Sequence, residues 1–220
     1  MHVAVNAAMS VDGKLASRER EQLAISGPED FDRVERLRAE TDAIMVGVGT
    51  VLADDPSLTV DEQSEQSARD ARGEPVNPVR IVADSRARTP PDARVLDDAA
   101  ETIVLVSEAV PTEHVSTLRS VGAEIVETGA NRVDLQAALE QLEAAGIETL
   151  LVEGGGELIY SLFEAELVDE LSVYVGSIVI GGRDAPTLAD GSGFTDSYPK
   201  LSLQSVEKLG EGVLLQYAVE

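Results

Sequence analysis

The sequence contains no cysteine. That excludes disulfides, thiolate metal sites, cysteine nucleophiles and cysteine-built zinc deaminase chemistry. Histidine is nearly as scarce. His2 and His114 are the only two and lie far apart in sequence, so no metal site is expected. Cations are few: 17 Lys plus Arg stand against 41 Asp plus Glu, for a formal charge of -24. Only Lys14, Lys200 and Lys208 are lysines. No basic stripe is visible, so no nucleic-acid partner is expected. No run of about 18 apolar residues is present, so neither a transmembrane helix nor a membrane partner is expected. The N-terminal MHVAVNAAMSVDGK lacks a basic region followed by a long apolar stretch. It reads as a folded strand rather than a signal peptide, and the expected location is cytoplasmic.

What is abundant is acid, and it is spread along the chain rather than gathered in a tail. A dispersed acidic surface suits a halophilic setting, where salt screens the self-repulsion. An ordinary acidic protein is the plainer reading. With 220 residues, 43% of them hydrophobic, the chain can bury a full core as one domain, residues 1–220. Short apolar runs at 2–9, 43–46, 79–83, 102–106, 124–126 and 149–152 read as strands. Helical spacing or position places helices near 30–40, 50–53, 113–120, 135–145 and 157–163. Residues 61–76 are polar and aperiodic and read as a surface loop. Residues 171–180, 201–208 and 213–219 read as closing strands. The alternation predicts an α/β fold: a mainly parallel sheet, helices on both faces, and antiparallel C-terminal strands.

Four segments carry candidate chemistry. In TLLVEGGGEL (149–158) a strand runs through three glycines into a helix. Glycine lets backbone N–H groups approach a phosphate, and a helix N-terminus adds partial positive charge. The GxGxxG fingerprint is absent, so a standard Rossmann site is not supported, and a purely structural turn remains open. GVGTVLADDP (47–56) is a second strand-to-helix glycine turn. Two such turns after strands of one parallel sheet fall at its carboxyl edge, where ligands bind. VRIVADSRAR (79–88) ends a strand in Ser85 and clusters Arg80, Arg86 and Arg88, which suits the 2′-phosphate of NADP or a solvated basic turn. NAAMSVDGKLA (6–16) places Lys14 beside a turn, as a substrate-phosphate cation or an ordinary surface lysine.

Together SVDGKLA, LRAETDAIMVGVGTVLADDPSLTV, NPVRIVADSRAR, LLVEGGGELIYSLF and ELVDELSVYVGSIVIGGRDAPTLADG resemble the riboflavin-pathway reductases of dihydrofolate reductase-like fold. They are similar to the stand-alone archaeal and fungal type and to the C-terminal domain of the bacterial deaminase-reductase. The missing cysteines favour the stand-alone type. The resemblance implies NADPH-dependent reduction of 2,5-diamino-6-ribosylamino-4(3H)-pyrimidinone 5′-phosphate, a pyrimidine ribosyl phosphate, to the ribitylamino product. The deaminated pyrimidine and dihydrofolate are the competing substrates. It implies cofactor contacts at Ala16, Ala24, Thr50, Asp54, Asp84, Ser85, Arg86, Gly154, Gly155, Gly156 and Glu157. It implies substrate contacts at Asn6, Lys14, Arg38, Leu58 and Glu153, with Glu153 and Lys14 as the catalytic candidates. It also implies a homodimer packed through the C-terminal sheet region. The nearly unbroken apolar run 171–180 agrees, if a second subunit covers one of its faces.

Overall fold

The computed structural model describes residues 1–21 and 23–220. Among the described residues, nine strands and six α-helices follow one another. The strands are β1 (His2–Ser10), β2 (Ala43–Gly47), β3 (Val79–Ala83), β4 (Thr102–Val106), β5 (Glu124–Glu127), β6 (Thr149–Val152), β7 (Glu170–Gly176), β8 (Leu201–Leu209) and β9 (Gly212–Val219). The helices are α1 (Pro28–Ala39), α2 (Val48–Asp54), α3 (Gln63–Arg72), α4 (Thr112–Ser120), α5 (Leu135–Ala144) and α6 (Gly156–Glu164). The result is a mixed, mostly parallel nine-stranded sheet with antiparallel C-terminal strands, as expected.

The chain divides into two compact units. The first comprises Met1 and residues 35–151 and holds strands in the order β5-β4-β3-β2-β6. Its β2, β3, β4 and β5 pair in parallel. Both faces of β2 are buried: Ile44 and Val46 look one way, Ala43 and Met45 the other. A parallel strand covered on both faces needs this continuous apolar run rather than alternation. Ile44 and Val46 join Val82, Val104, Val106, Val48 and Val51 of α2, and Val115 and Leu118 of α4 in one core cluster.

The expected loop at 61–76 is instead largely helix α3. Its docking is polar, so no apolar period marked it. Arg69 is buried and donates to the carbonyls of Ala39, Thr41 and Pro75 at 3.1, 2.8 and 2.7 Å. Arg72 Nη2 donates to Ala39 at 2.6 Å. Two guanidiniums thus satisfy the Ala39 carbonyl at the end of α1, and Arg69 also holds the Thr41 carbonyl just beyond it.

The second unit comprises residues 2–34 and 152–220 and holds strands in the order β1-β7-β9-β8. β1 and β7 are parallel, from Ala4 opposite Glu170 to Ser10 opposite Gly176. β7–β9 and β9–β8 are antiparallel. The apolar run expected as strand 171–180 ends as a strand at Gly176. Ile178 and Val179 are exposed. Within β7, Leu171, Val173 and Tyr174 are already buried inside one chain.

Candidate active site

In the first unit, Gly47 of β2 lies opposite Ala83 of β3. The turns after these two parallel strands therefore emerge side by side at the carboxyl edge. Thr50 sits in the first turn of α2, and Asp54 closes that helix. Desolvation by neighbouring protein raises the Asp54 carboxyl above its ordinary value, although the side chain reaches the surface. After β3, Asp84 is fully buried. Its carboxylate accepts from the Thr89 N–H and hydroxyl at 2.7 and 2.8 Å and from the Arg86 N–H at 3.3 Å. Ser85 Oγ accepts from the Val133 N–H at 3.0 Å. Asp84 shapes the turn and Ser85 ties it to the Val133 segment, and the turn presents Arg86 and Arg88 to solvent. Arg86 has no side-chain hydrogen bond or ion pair among the described residues. Arg88 approaches Asp84 at 3.9 Å.

Arg80 does not join that cluster. Its position in mid-strand turns it into the core, where it is fully buried. It donates to Thr102 Oγ1, Asp97 Oδ1 and the Asp97 and Ala100 carbonyls at 3.0, 2.7, 2.5 and 2.6 Å. Arg80 is a structural clasp, and hydrogen bonding from it holds Asp97 below the usual carboxylate range.

Arg38, in the last turn of α1, donates to the Thr59 carbonyl at 2.9 Å and lies 3.5 Å from Glu35. Leu58 sends its side chain into the core cluster, so only its backbone is free to meet a ligand. That backbone has φ 51°, and Asp55 nearby has φ 42°. Two left-handed non-glycine residues in four positions are costly and persist only where their surroundings hold them.

In the second unit, three expected pieces meet. β6 ends at Val152, and Gly155 caps α6 with φ 94° and ψ 98°, a conformation open chiefly to glycine. The first N–H groups of α6 have no partner within the helix and carry its positive end. Gly156 has a second reason to be glycine: a Cβ there would stand 2.5 Å from the Thr187 carbonyl oxygen and 2.6 Å from Asp190 Oδ2. The Asp190 N–H donates to the Gly156 carbonyl at 3.0 Å. Thr187 in turn bridges Lys14. Lys14 Nζ donates to the Ala185 carbonyl at 3.1 Å, which leaves two of its three N–H donors. The Lys14 turn, the segment 185–191 and the glycine turn are therefore one connected assembly. Glu157 is exposed, and its Oε1 accepts from the Gly191 N–H at 3.3 Å. Glu153, just after β6, is half-buried. Ala16 is half-buried and Ala24 exposed, both in the irregular stretch before α1.

Two contributors were missing from the sequence reading. Asp12 accepts from Ser10 Oγ, the Ile180 N–H and the Gly181 N–H at 2.6, 3.0 and 2.7 Å, and so ties the Lys14 turn to the loop after β7. The Ser10 hydroxyl, reinforced by the two amides, lowers its carboxyl to about 2. Arg33 of α1 donates to Asn6 Oδ1 at 2.7 Å. Its pairing with Asp30 three residues earlier was the available signal.

Comparison with known proteins places these features in context. A family model described as the RibD C-terminal domain matches residues 1–215. The 2,5-diamino-6-ribosylamino-4(3H)-pyrimidinone 5′-phosphate reductase of Archaeoglobus fulgidus is 50% identical over 211 residues, covering 96% of this chain and 94% of that protein. The protein of the same name from Methanothermobacter thermautotrophicus is 48% identical, covering 100% and 98%. Among solved structures, a pyrimidine reductase-like protein from Corynebacterium diphtheriae superposes with a TM-score of 0.85 over 100% of this chain and 92% of that one. At 18% identity that likeness speaks for the fold alone.

Proposed function

The chain belongs to the RibD C-terminal domain family, and from that premise we propose that it reduces 2,5-diamino-6-ribosylamino-4(3H)-pyrimidinone 5′-phosphate with NADPH in riboflavin biosynthesis. The observation that carries the reading is near-half identity over almost the full length of two archaeal reductases of that name. A single family model spanning residues 1–215 supports treating the two units as one functional domain. The cytoplasm is the proposed location. Among the described residues no helix is long and apolar enough to cross a membrane.

The residues present suit a nicotinamide dinucleotide. Gly154 and Gly155, with φ 155° and 94°, leave backbone open for close approach of a pyrophosphate, and the start of α6 offers N–H donors. Arg86 offers an uncommitted guanidinium for a 2′-phosphate. When bound, such a cofactor supplies a hydride. The ribosyl ring must open so that C1′ can accept it and become the ribitylamino carbon. The chain's task is to bind and orient. In the second unit Lys14, with two free donors, suits the substrate phosphate; in the first unit Arg38 is a proposed substrate contact. In the second unit Asn6 and Glu153 serve the pyrimidine and sugar, and Glu153 orients or donates the proton that ring opening needs; in the first unit the Leu58 backbone is a proposed substrate contact. Thr50, Asp54 and the turn Asp84–Arg86 serve the adenosine end. Ala16 and Ala24 line the nicotinamide side. Glu157 serves the pyrophosphate through its backbone N–H at the start of α6, while its carboxylate is held by the Gly191 N–H.

A homodimer is part of this proposal. Leu201, Leu203 and Val206 of β8 pair with Val219, Tyr217 and Leu215 of β9 and share one face with them. The bulge between Leu203 and Ser205 keeps Val206 on that face. Leu201, Leu203, Val206 and Val213 are exposed, an apolar stripe that a second subunit would cover. The test of function is NADPH consumption with the aminated and deaminated pyrimidines side by side. Turnover of neither overturns the proposal, and preference for the deaminated one moves it to the alternative substrate.

A further inference from the structure

Asn6 lies in the middle of β1, on the face it shares with Ser172 of β7. It is 7% exposed. Its Oδ1 accepts from Arg33 Nη2 at 2.7 Å. A guanidinium has donors and no acceptor, so only the oxygen of the amide can face it. The amide therefore has one orientation. Arg33 is itself held. Its Nε donates to Asp30 Oδ1 at 2.8 Å, Nη2 lies 2.7 Å from the same oxygen, and Nη1 donates to Ser172 Oγ at 3.3 Å. Asp30 Oδ2 accepts from Ser26 Oγ at 2.6 Å. The side chains of Arg33 and Asp30 are 12% and 3% exposed. The Asn6 Nδ2, by contrast, has no hydrogen-bond partner among the described residues, and no unpartnered side-chain nitrogen or oxygen is sealed inside. A nearly buried residue thus holds two N–H donors open.

We infer that Arg33 is a positioning residue that locks the Asn6 amide with its N–H donors toward the ligand, so that Asn6 reads an acceptor, a ring carbonyl oxygen of the pyrimidine. The inference rests on the pyrimidine reading above. The acceptor is neutral, because Asp30 offsets the Arg33 charge and no other cation contacts Asn6 among the described residues. A phosphate placed there would be desolvated against a neutral amide. The amino groups and N3–H of the pyrimidine would meet donors, which leaves the ring nitrogen N1 and the carbonyl oxygen, and of these the carbonyl, with two lone pairs, is the better match to two N–H donors.

The test has a kinetic arm and a binding arm. Asn6→Asp keeps the size and the Arg33 contact but removes the donors. Its KM for the pyrimidine should rise about tenfold or more, the loss of one net hydrogen bond, while its KM for NADPH stays within about twofold. Arg33→Lys keeps a cation for Asp30 and loses the fork. It should raise the pyrimidine KM in the wild-type background and add little in an Asn6→Ala background, because a residue acting through Asn6 has nothing left to position. Effects that multiply across the two sites would overturn the positioning role. In the binding arm, the Asn6 side-chain amide resonances, assigned by their loss in Asn6→Ala, should shift when the ribosylaminopyrimidine phosphate is added. Turnover without that shift overturns this inference and leaves the function standing. A shift without turnover does the reverse.

Discussion

Replacing Arg86 by alanine isolates the contact that should separate NADPH from NADH. Arg86 is exposed, and its guanidinium pairs with nothing among the described residues, so its removal orphans no other group. Arg88, 54% exposed and 3.9 Å from Asp84, is already partly offset and should matter less. A hydrogen bond to a charged group contributes ~1.5–3 kcal/mol, and exposure favours the lower end. At about 1.4 kcal/mol per tenfold, one or two such bonds predict a fall of about ten- to a hundredfold in kcat/KM for NADPH. NADH lacks the 2′-phosphate and should be unaffected. Salt sharpens the test. A chain of net charge -24 repels an anionic cofactor at low ionic strength, so NADPH affinity should first improve as salt is added. In molar salt the Debye length is about 3 Å, which leaves contact-range bonds intact, so a preference for NADPH should persist there. Initial rates with each cofactor, wild type against Arg86→Ala, across a salt series, decide the matter. An unchanged NADPH-to-NADH ratio in the variant would refute the reasoning.

Other outcomes follow from the same geometry. Lys14→Ala should raise the KM for the phosphorylated pyrimidine far more than that for NADPH, and an effect confined to NADPH would move Lys14 to the cofactor. Gly156→Ala must displace the Thr187 carbonyl, so thermal melting should show a less stable protein with weakened NADPH binding; a variant indistinguishable from wild type would contradict the packing described. Arg69→Ala leaves the carbonyls of Ala39, Thr41 and Pro75 without their donor, a loss of about 2–4 kcal/mol by denaturant titration; a loss below about 1 kcal/mol would mean water replaces the guanidinium. The Asp12 carboxylate, depressed to about 2, should anchor the Ile180 and Gly181 amides at every pH above the unfolded carboxyl value and release them only as pH falls through about 2. Amide exchange at those two residues would report it, and release already near pH 4 would show that the anchor is weak. Light scattering should find a dimer that tightens as salt rises, and a monomer active in molar salt would leave the β8–β9 stripe unexplained.

The parallel strands were legible because strands buried on both faces are apolar at most positions. β3, β4 and β6 fall where the sequence put them. The glycine turn before α6 was legible too, since a strand, three glycines and a helix leave few geometries. Helix α3 was not, because charge rather than apolar surface docks it through Arg69 and Arg72. Arg80 looked like one of three clustered cations, yet strand parity turned it inward to Asp97. The end of β7 at Gly176 was hidden for the opposite reason: Ile178 and Val179 are apolar but exposed, and hydropathy carries no mark of exposure. At the site, Asp84 and Ser85 were read as ligand contacts. The Asp84 side chain is bonded within the turn and that of Ser85 to the distant Val133 amide, partners that only three dimensions reveal. Arg33 was passed over because its partner Asn6 lies 27 positions away.

The central claim is reduction of the aminated pyrimidine at the expense of NADPH. The most direct measurement is NADPH oxidation by the purified protein in molar salt, with the ribitylamino product identified by mass. The account predicts that 2,5-diamino-6-ribosylamino-4(3H)-pyrimidinone 5′-phosphate is consumed one for one with NADPH and gains two hydrogens. NADPH left unoxidised in the presence of that substrate, by a folded protein that binds the cofactor, would contradict it.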